Sequence, residues 1–226
     1  MTLHLSNMHG KLLAFSNPKR KTPEHWPESL QEIVDQTPLG VDGWLSVTYR
    51  SREPLIPTMD VTPAESYQYD FVVRENARRA RLLLLSASLE LVQLLLRKMK
   101  WEAEVRSPLI AVPLLVTFLA ERREKYKMGT VFAAVDAFGR SLRTIAMYGD
   151  DLADADLFHD VLAHVRPYRV QLRDAVSKEE FMTVGSRGEV SLSGTDPATL
   201  SRVDEALAFL TKQNYLQWPG SEDSRG

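Results

Sequence analysis

Cysteine is absent from this chain of 226 residues, which removes disulfides, thiolate zinc sites and cysteine nucleophiles from consideration. Long apolar runs are missing too. The two greasiest stretches, LLLLSASLELVQLLL at 82–96 and PLIAVPLLVTFLA at 108–120, fall short of the roughly 20 residues that cross a bilayer, and the first contains Glu90. No membrane partner is expected. The opening MTLHLSNMHGKLLAF lacks the charged start and apolar core of a secretory signal, so a cytoplasmic location is expected. The chain also has no phosphate loop of the form G-x-x-x-x-G-K-[ST], no G-x-G-x-x-G after a strand and no G-x-S-x-G nucleophile turn. These gaps leave no motif that names a cofactor or a reaction, and no cofactor is expected.

What is present is an ordinary globular composition, 44% hydrophobic and 26% charged, with a net charge of only -2. The charge is unevenly spread. Between 62 and 128 there are 12 Lys and Arg against 8 Asp and Glu, whereas from 179 onward there are 4 against 8. A basic middle and an acidic end suit either an anionic partner or mutual docking.

The pattern predicts a mainly α protein, a bundle of four or more helices, with a partly β N-terminal segment and a C-terminal β-hairpin plus helix. Residues 1–61 hold six of the 12 prolines; TLHLS and KLLAFS suggest a hairpin about NMHG, ESLQEIVDQ a short helix, and WLSVTYR at 44–50 a half-buried strand. Residues 62–177 read as the bundle. Thr62, Pro63 and Glu65 form a capping box, and no breaker follows until about Lys100. Ser107 and Pro108 open a second helix, with a kink expected at Pro113. Val131, Val135, Phe138, Leu142 and Ile145 alternate at spacings of 4 and 3 as a helical seam. Phe158, Val161, Val165, Tyr168 and Leu172 suggest another seam, kinked at Pro167. Residues 178–218 read as a hairpin turning at GSRG and a helix capped by Asp196 with Pro197 first. Residues 219–226 read as a disordered tail.

Three groups of residues invite a functional reading. Arg74, Arg78 and Arg81, and again Arg166, Arg169 and Arg173, recur at helical spacing. On a helix each row projects guanidinium forks from one face, suited to phosphates or to internal salt bridges. Ser86, Glu90, Gln93 and Arg97 form a narrow polar line on an otherwise apolar helix, a strip that faces water or a partner. HDVLAH at 159–164 gathers two histidines and a carboxylate; with Asp156 it makes Asp156, His159, Asp160 and His164 candidates for a metal or proton-transfer site. The spacing of five turns the two histidines apart by about 140°, whereas metal-binding pairs use a spacing of four. The alternative is a polar helix start whose acids complement the dipole. The H-D dipeptide is similar to that of metal-dependent phosphohydrolases of the HD type. Those require a further upstream histidine on a neighbouring helix, and none lies between His25 and His159.

The leading expectation is a non-catalytic accessory or adaptor subunit that works through a protein partner or as a homo-oligomer. Behind it stand a nucleic-acid-associated factor that uses the arginine rows, and a metal-dependent hydrolase built on the His159 and His164 region.

Overall fold

The structure, a computed structural model, describes residues 7–15, 33–55, 66–76, 81–98, 105–122, 125–135 and 143–219. It overturns the helical bundle: among the described residues the protein is mainly β, 46% strand against 28% helix. Two compact units make it up, the first from the described residues of Met1–Pro108, Gly194–Ser201 and Trp218–Gly226, the second from Leu109–Ser193 and Arg202–Gln217.

The first unit is an antiparallel sheet. Its strands are β1 (Met8–Phe15), β2 (Ile33–Pro38), β3 (Trp44–Ser51), β4 (Tyr67–Asn76) and β5 (Arg81–Ser86), ordered β2-β3-β4-β5-β1. A two-residue strand, β6 (Val105–Arg106), lies beside the end of β1. One face carries Leu13, Val47, Tyr49, Phe71, Val73, Leu82 and Leu84, packed against Val92, Leu95 and Leu96 of helix α1 (Leu89–Lys98). Trp44, Val72, Leu83, Leu85 and Leu12 point to the other side and are buried as well. A strand buried on both faces needs no polar alternation. That is why Leu82 to Leu85 show no period of two and why the run from 82 to 96 reads as one helix.

The chain instead leaves β5 at Ser86 and turns. Ser88 then caps α1, its Oγ accepting the Leu91 N–H at 3.2 Å. Gly10 on β1 lets the strands meet: a Cβ there would stand 1.9 Å from the Leu84 carbonyl oxygen of β5. The capping box at 62–65 lies outside the described residues. The short helix expected from ESLQEIVDQ is replaced, where described, by β2, and the strand expected at 44–50 is present as β3.

The second unit holds β7 (Leu109–Ile110), α2 (Val112–Glu121), β8 (Tyr126–Val135), β9 (Thr144–Tyr148), a 3-10 turn (Leu152–Asp154), α3 (Asp156–Leu162), β10 (Val165–Asp174), β11 (Glu180–Gly185) and β12 (Glu189–Leu192). Helix α4 (Pro197–Lys212) contributes its residues from Arg202 on, and β13 (Leu216–Gln217) pairs with β7. The main sheet runs β12-β11-β10-β8-β9, each pair antiparallel. Its inner face buries Met128, Val131, Val170, Leu172, Met182, Val184 and Val190. Helix α2 packs on β8 and β10. Phe118, Tyr126, Phe181, Phe209 and Tyr215 join α2, β8, β11, α4 and the β13 approach through ring centroids 5.4–6.4 Å apart.

Each helix expected between 107 and 177 is shortened or replaced. Pro113 lies in the first turn of α2, where its missing N–H costs no helical bond, so it starts the helix and does not kink it. The seam from Val131 to Ile145 splits into β8 and β9, with Phe138 and Leu142 outside the described residues. Of the helix expected over 149–177 only α3 remains; Val165, Pro167, Tyr168 and Leu172 belong to β10. The expected C-terminal hairpin and helix are present, and the tail expected at 219–226 lies, from 220 on, outside the described residues. Strands β11 and β12 turn through 186–188, where Gly188 takes φ 73°. Asp196 caps α4, its carboxylate accepting the N–H groups of Ala198 and Thr199 at 3.1 and 3.0 Å. Among the described residues no helix is long and apolar enough to cross a membrane.

Candidate functional site

The second arginine row survives the loss of its helix. On a regular strand Arg166 and Arg169, three apart, would face opposite sides. A register shift between Pro167 and Arg169 inserts Tyr168 as an extra residue against β8, and the phase flips. Pro167, Val170 and Leu172 consequently point into the core, while Arg166, Arg169, Gln171 and Arg173 share the outer face. Arg169, Gln171 and Arg173 then alternate regularly, and a second shift, with Gly129 as the extra residue on β8, sets Lys127 opposite Arg173.

The outer face also collects aromatic rings, two of which, Phe132 and Tyr148, lie far from the arginines in sequence. Phe132 of β8 is the direct cross-strand partner of Arg169 on one side and of Ala146 of β9 on the other. Tyr148 of β9, 71% exposed, meets Phe132 edge-on with centroids 6.4 Å apart. Tyr168, at the bulge, is 38% exposed. Because Ala146 is small, one flank of Phe132 is left open. The surface is therefore an open sheet face with aromatic rings set beside guanidinium groups.

Charge on this face is polarised along the strands. Arg173 is held at one end: it donates to Glu180 at 2.7 Å and to Asp150 at 3.1 Å, and its side chain is 15% exposed. The hydrogen bond that Arg173 donates to Glu180, reinforced by the one it donates to Asp150 and opposed by partial burial, raises the Arg173 pKa further. Gln171 donates to the other oxygen of Glu180 at 2.7 Å, and Lys127 pairs with Asp151 at 2.6 Å. At the other end, among the described residues, Arg166 and Arg169 have no ion-pair or hydrogen-bond partner. Two strand steps along β10 separate them by about 7 Å.

The other candidates are placed differently. Arg74 lies on β4 and Arg81 opens β5, and Arg78 lies outside the described residues, so no helical row exists there. The Arg81 guanidinium sits 4.3 Å from the Trp218 ring centroid, a cation–π contact within the first unit. Of the polar strip, Ser86 is fully buried on β5 and donates to the Asp70 carbonyl at 3.2 Å. Glu90, Gln93 and Arg97 do lie together on the exposed side of α1.

Asp156, His159 and Asp160 are exposed on α3, and His164 falls in the turn beyond its end. The His159 ring nitrogen is 3.1 Å from the Ala153 carbonyl oxygen. Among the described residues no group of three or more His, Asp or Glu side chains is gathered as a metal ion would require. No family model matches the chain, and no curated protein matches it in sequence.

Proposed function

We propose that the protein is a non-catalytic binding factor that lays a single strand of nucleic acid across the outer face of the β12-β11-β10-β8-β9 sheet. Phosphates are taken by Arg166 and Arg169, and bases stack on Phe132 and Tyr148. The observation that carries this reading is the cross-strand pairing of Arg169, which has no partner among the described residues, with Phe132, and the edge-on contact of Phe132 with Tyr148, on one open surface. Single-strand binding combines a cationic track with aromatic platforms, and stacking tolerates any base because each has a π-face. A duplex offers the same phosphates but keeps its bases stacked inward, so the rings favour the single strand. In this reading the protein works in the cytoplasm as an accessory subunit, holding a strand for a larger assembly.

The test is fluorescence polarisation with labelled mixed-sequence RNA and DNA, single-stranded and duplex. Binding of the single strands is expected, weakened at least about tenfold by Arg166→Glu with Arg169→Glu. Phe132→Ala or Tyr148→Ala should cost about 1–3 kcal/mol for each base that loses its platform. Equal binding to duplex and single strand in the wild type, or binding indifferent to charge reversal, overturns the reading.

A further inference from the structure

The end strands of the two sheets are built differently. β2, the outermost strand of the first unit, carries exposed Asp35, a register shift between Ile33 and Asp35, and Pro38. A charge, a bulge and a proline are the standard defences of a sheet edge against pairing with another chain. β9, the outermost strand of the second unit, has none of them. Its sequence TIAMY is uncharged, contains β-branched and aromatic residues, and pairs among the described residues only with β8.

The ladder shows which groups are open. Val135 N–H donates to the Arg143 carbonyl at 3.1 Å, and Gly149 N–H to the Gly129 carbonyl at 3.0 Å. Residues 143 and 149 therefore face β8, as do 145 and 147 by antiparallel alternation. The N–H and C=O groups of Thr144, Ala146 and Tyr148 point to the open edge. We infer that this edge is a homodimer interface, in which β9 strands of two copies pair antiparallel about a two-fold axis at Ala146.

In that register Thr144 opposes Tyr148 of the second copy, Ala146 opposes Ala146, and every open N–H and C=O of the three residues is paired. The flanks select a second copy over an arbitrary strand. Arg143 precedes β9, and Gly149, Asp150 and Asp151 follow it. Antiparallel self-pairing brings Arg143 of each copy alongside the acidic segment of the other, where the Asp150 side chain is fully exposed and Gly149 offers no side chain to obstruct it. Parallel pairing would set like charges together. An isologous contact of this kind closes on itself and stops at two copies. The axis is normal to the sheet, so both outer faces end on the same side. The β10 strands of the two copies then lie five strand intervals apart, about 24 Å.

The experiment uses the full chain without nucleic acid, which makes its outcome independent of the binding reading above. Sedimentation velocity over a concentration series is expected to show a monomer–dimer equilibrium. Ala146→Pro removes an N–H that points away from β8, so the fold by circular dichroism should persist while the dimer is lost. Ala146→Cys supplies a second readout in a chain with no other cysteine. A hydrogen-bonded antiparallel pair sets its Cα atoms about 5.5 Å apart, within disulfide range. Oxidation should therefore link two copies at 146 far faster than it links an exposed-turn control, Ser177→Cys. A wild type that stays monomeric throughout overturns the inference, as does a dimer that persists in Ala146→Pro. Equal cross-linking of the two cysteine variants does the same, and still decides the matter if the proline variant misfolds.

Discussion

The charge polarity of the β10 face predicts how salt should act on nucleic-acid binding by different arginine variants. Each phosphate neutralised on a single strand contributes about -0.7 to the slope of log affinity against log salt, because counterions are released. Arg166 and Arg169 have no partner among the described residues, so their full charges are available. Arg173 is matched by Glu180 at 2.7 Å and Asp150 at 3.1 Å. Arg169→Gln should therefore flatten the slope by about 0.7, and the double change Arg166→Gln with Arg169→Gln by about 1.4. Over a fourfold rise in salt the double variant should lose about sevenfold less affinity than the wild type loses. Arg173→Gln should leave the slope nearly unchanged, although it lies on the same face of the same strand. The assay is polarisation of a labelled single strand across a salt series, with circular dichroism confirming that each variant is folded. If Arg173→Gln flattens the slope as much as Arg169→Gln, or if the double variant keeps the wild-type slope, the assignment of phosphate contacts to Arg166 and Arg169 is wrong.

Two stability predictions follow from the packing. Gly10→Ala drives a methyl group into the Leu84 carbonyl of the neighbouring strand, so β1 must shift; the expected loss is about 1–3 kcal/mol by denaturant titration, and a neutral result refutes the close approach. Asp196→Ala removes the α4 cap and should cost about 1 kcal/mol near neutral pH. The Thr199 hydroxyl, with the Thr199 and Ala198 N–H groups, lowers the Asp196 pKa against the opposing effect of burial. Because the folded-state pKa is depressed, this stabilisation is fully present above the ordinary carboxylate range and fades as pH falls through the folded pKa. The melting difference between wild type and Asp196→Ala should accordingly shrink in acid. A difference that grows or holds constant there contradicts the cap.

Composition and local chemistry carried some of these features without help from the rest of the chain. The lack of cysteine, the alternation of Trp44 to Arg50, the turn at Gly185 to Gly188 and the Asp196–Pro197 helix start are all decided by residues within a few positions of one another. Steric preference, turn geometry and side-chain capping act at that range, and those elements are where they were expected. Tertiary pairing decided the rest. Leu82 to Leu85 have no period of their own, and they become a strand because β1 and β4 flank them and both faces are covered. Arg166, Arg169 and Arg173 fit a helical face by spacing, but share a surface because a bulge at Tyr168 resets the strand's phase. The placing of Phe132 and Tyr148 beside them depends on registers between strands more than 30 residues apart in the chain for β8 and β10. Local propensity determines which turns and caps a segment can make; which strand lies next to which, and so what the arginines stand beside, depends on burial shared across the whole unit.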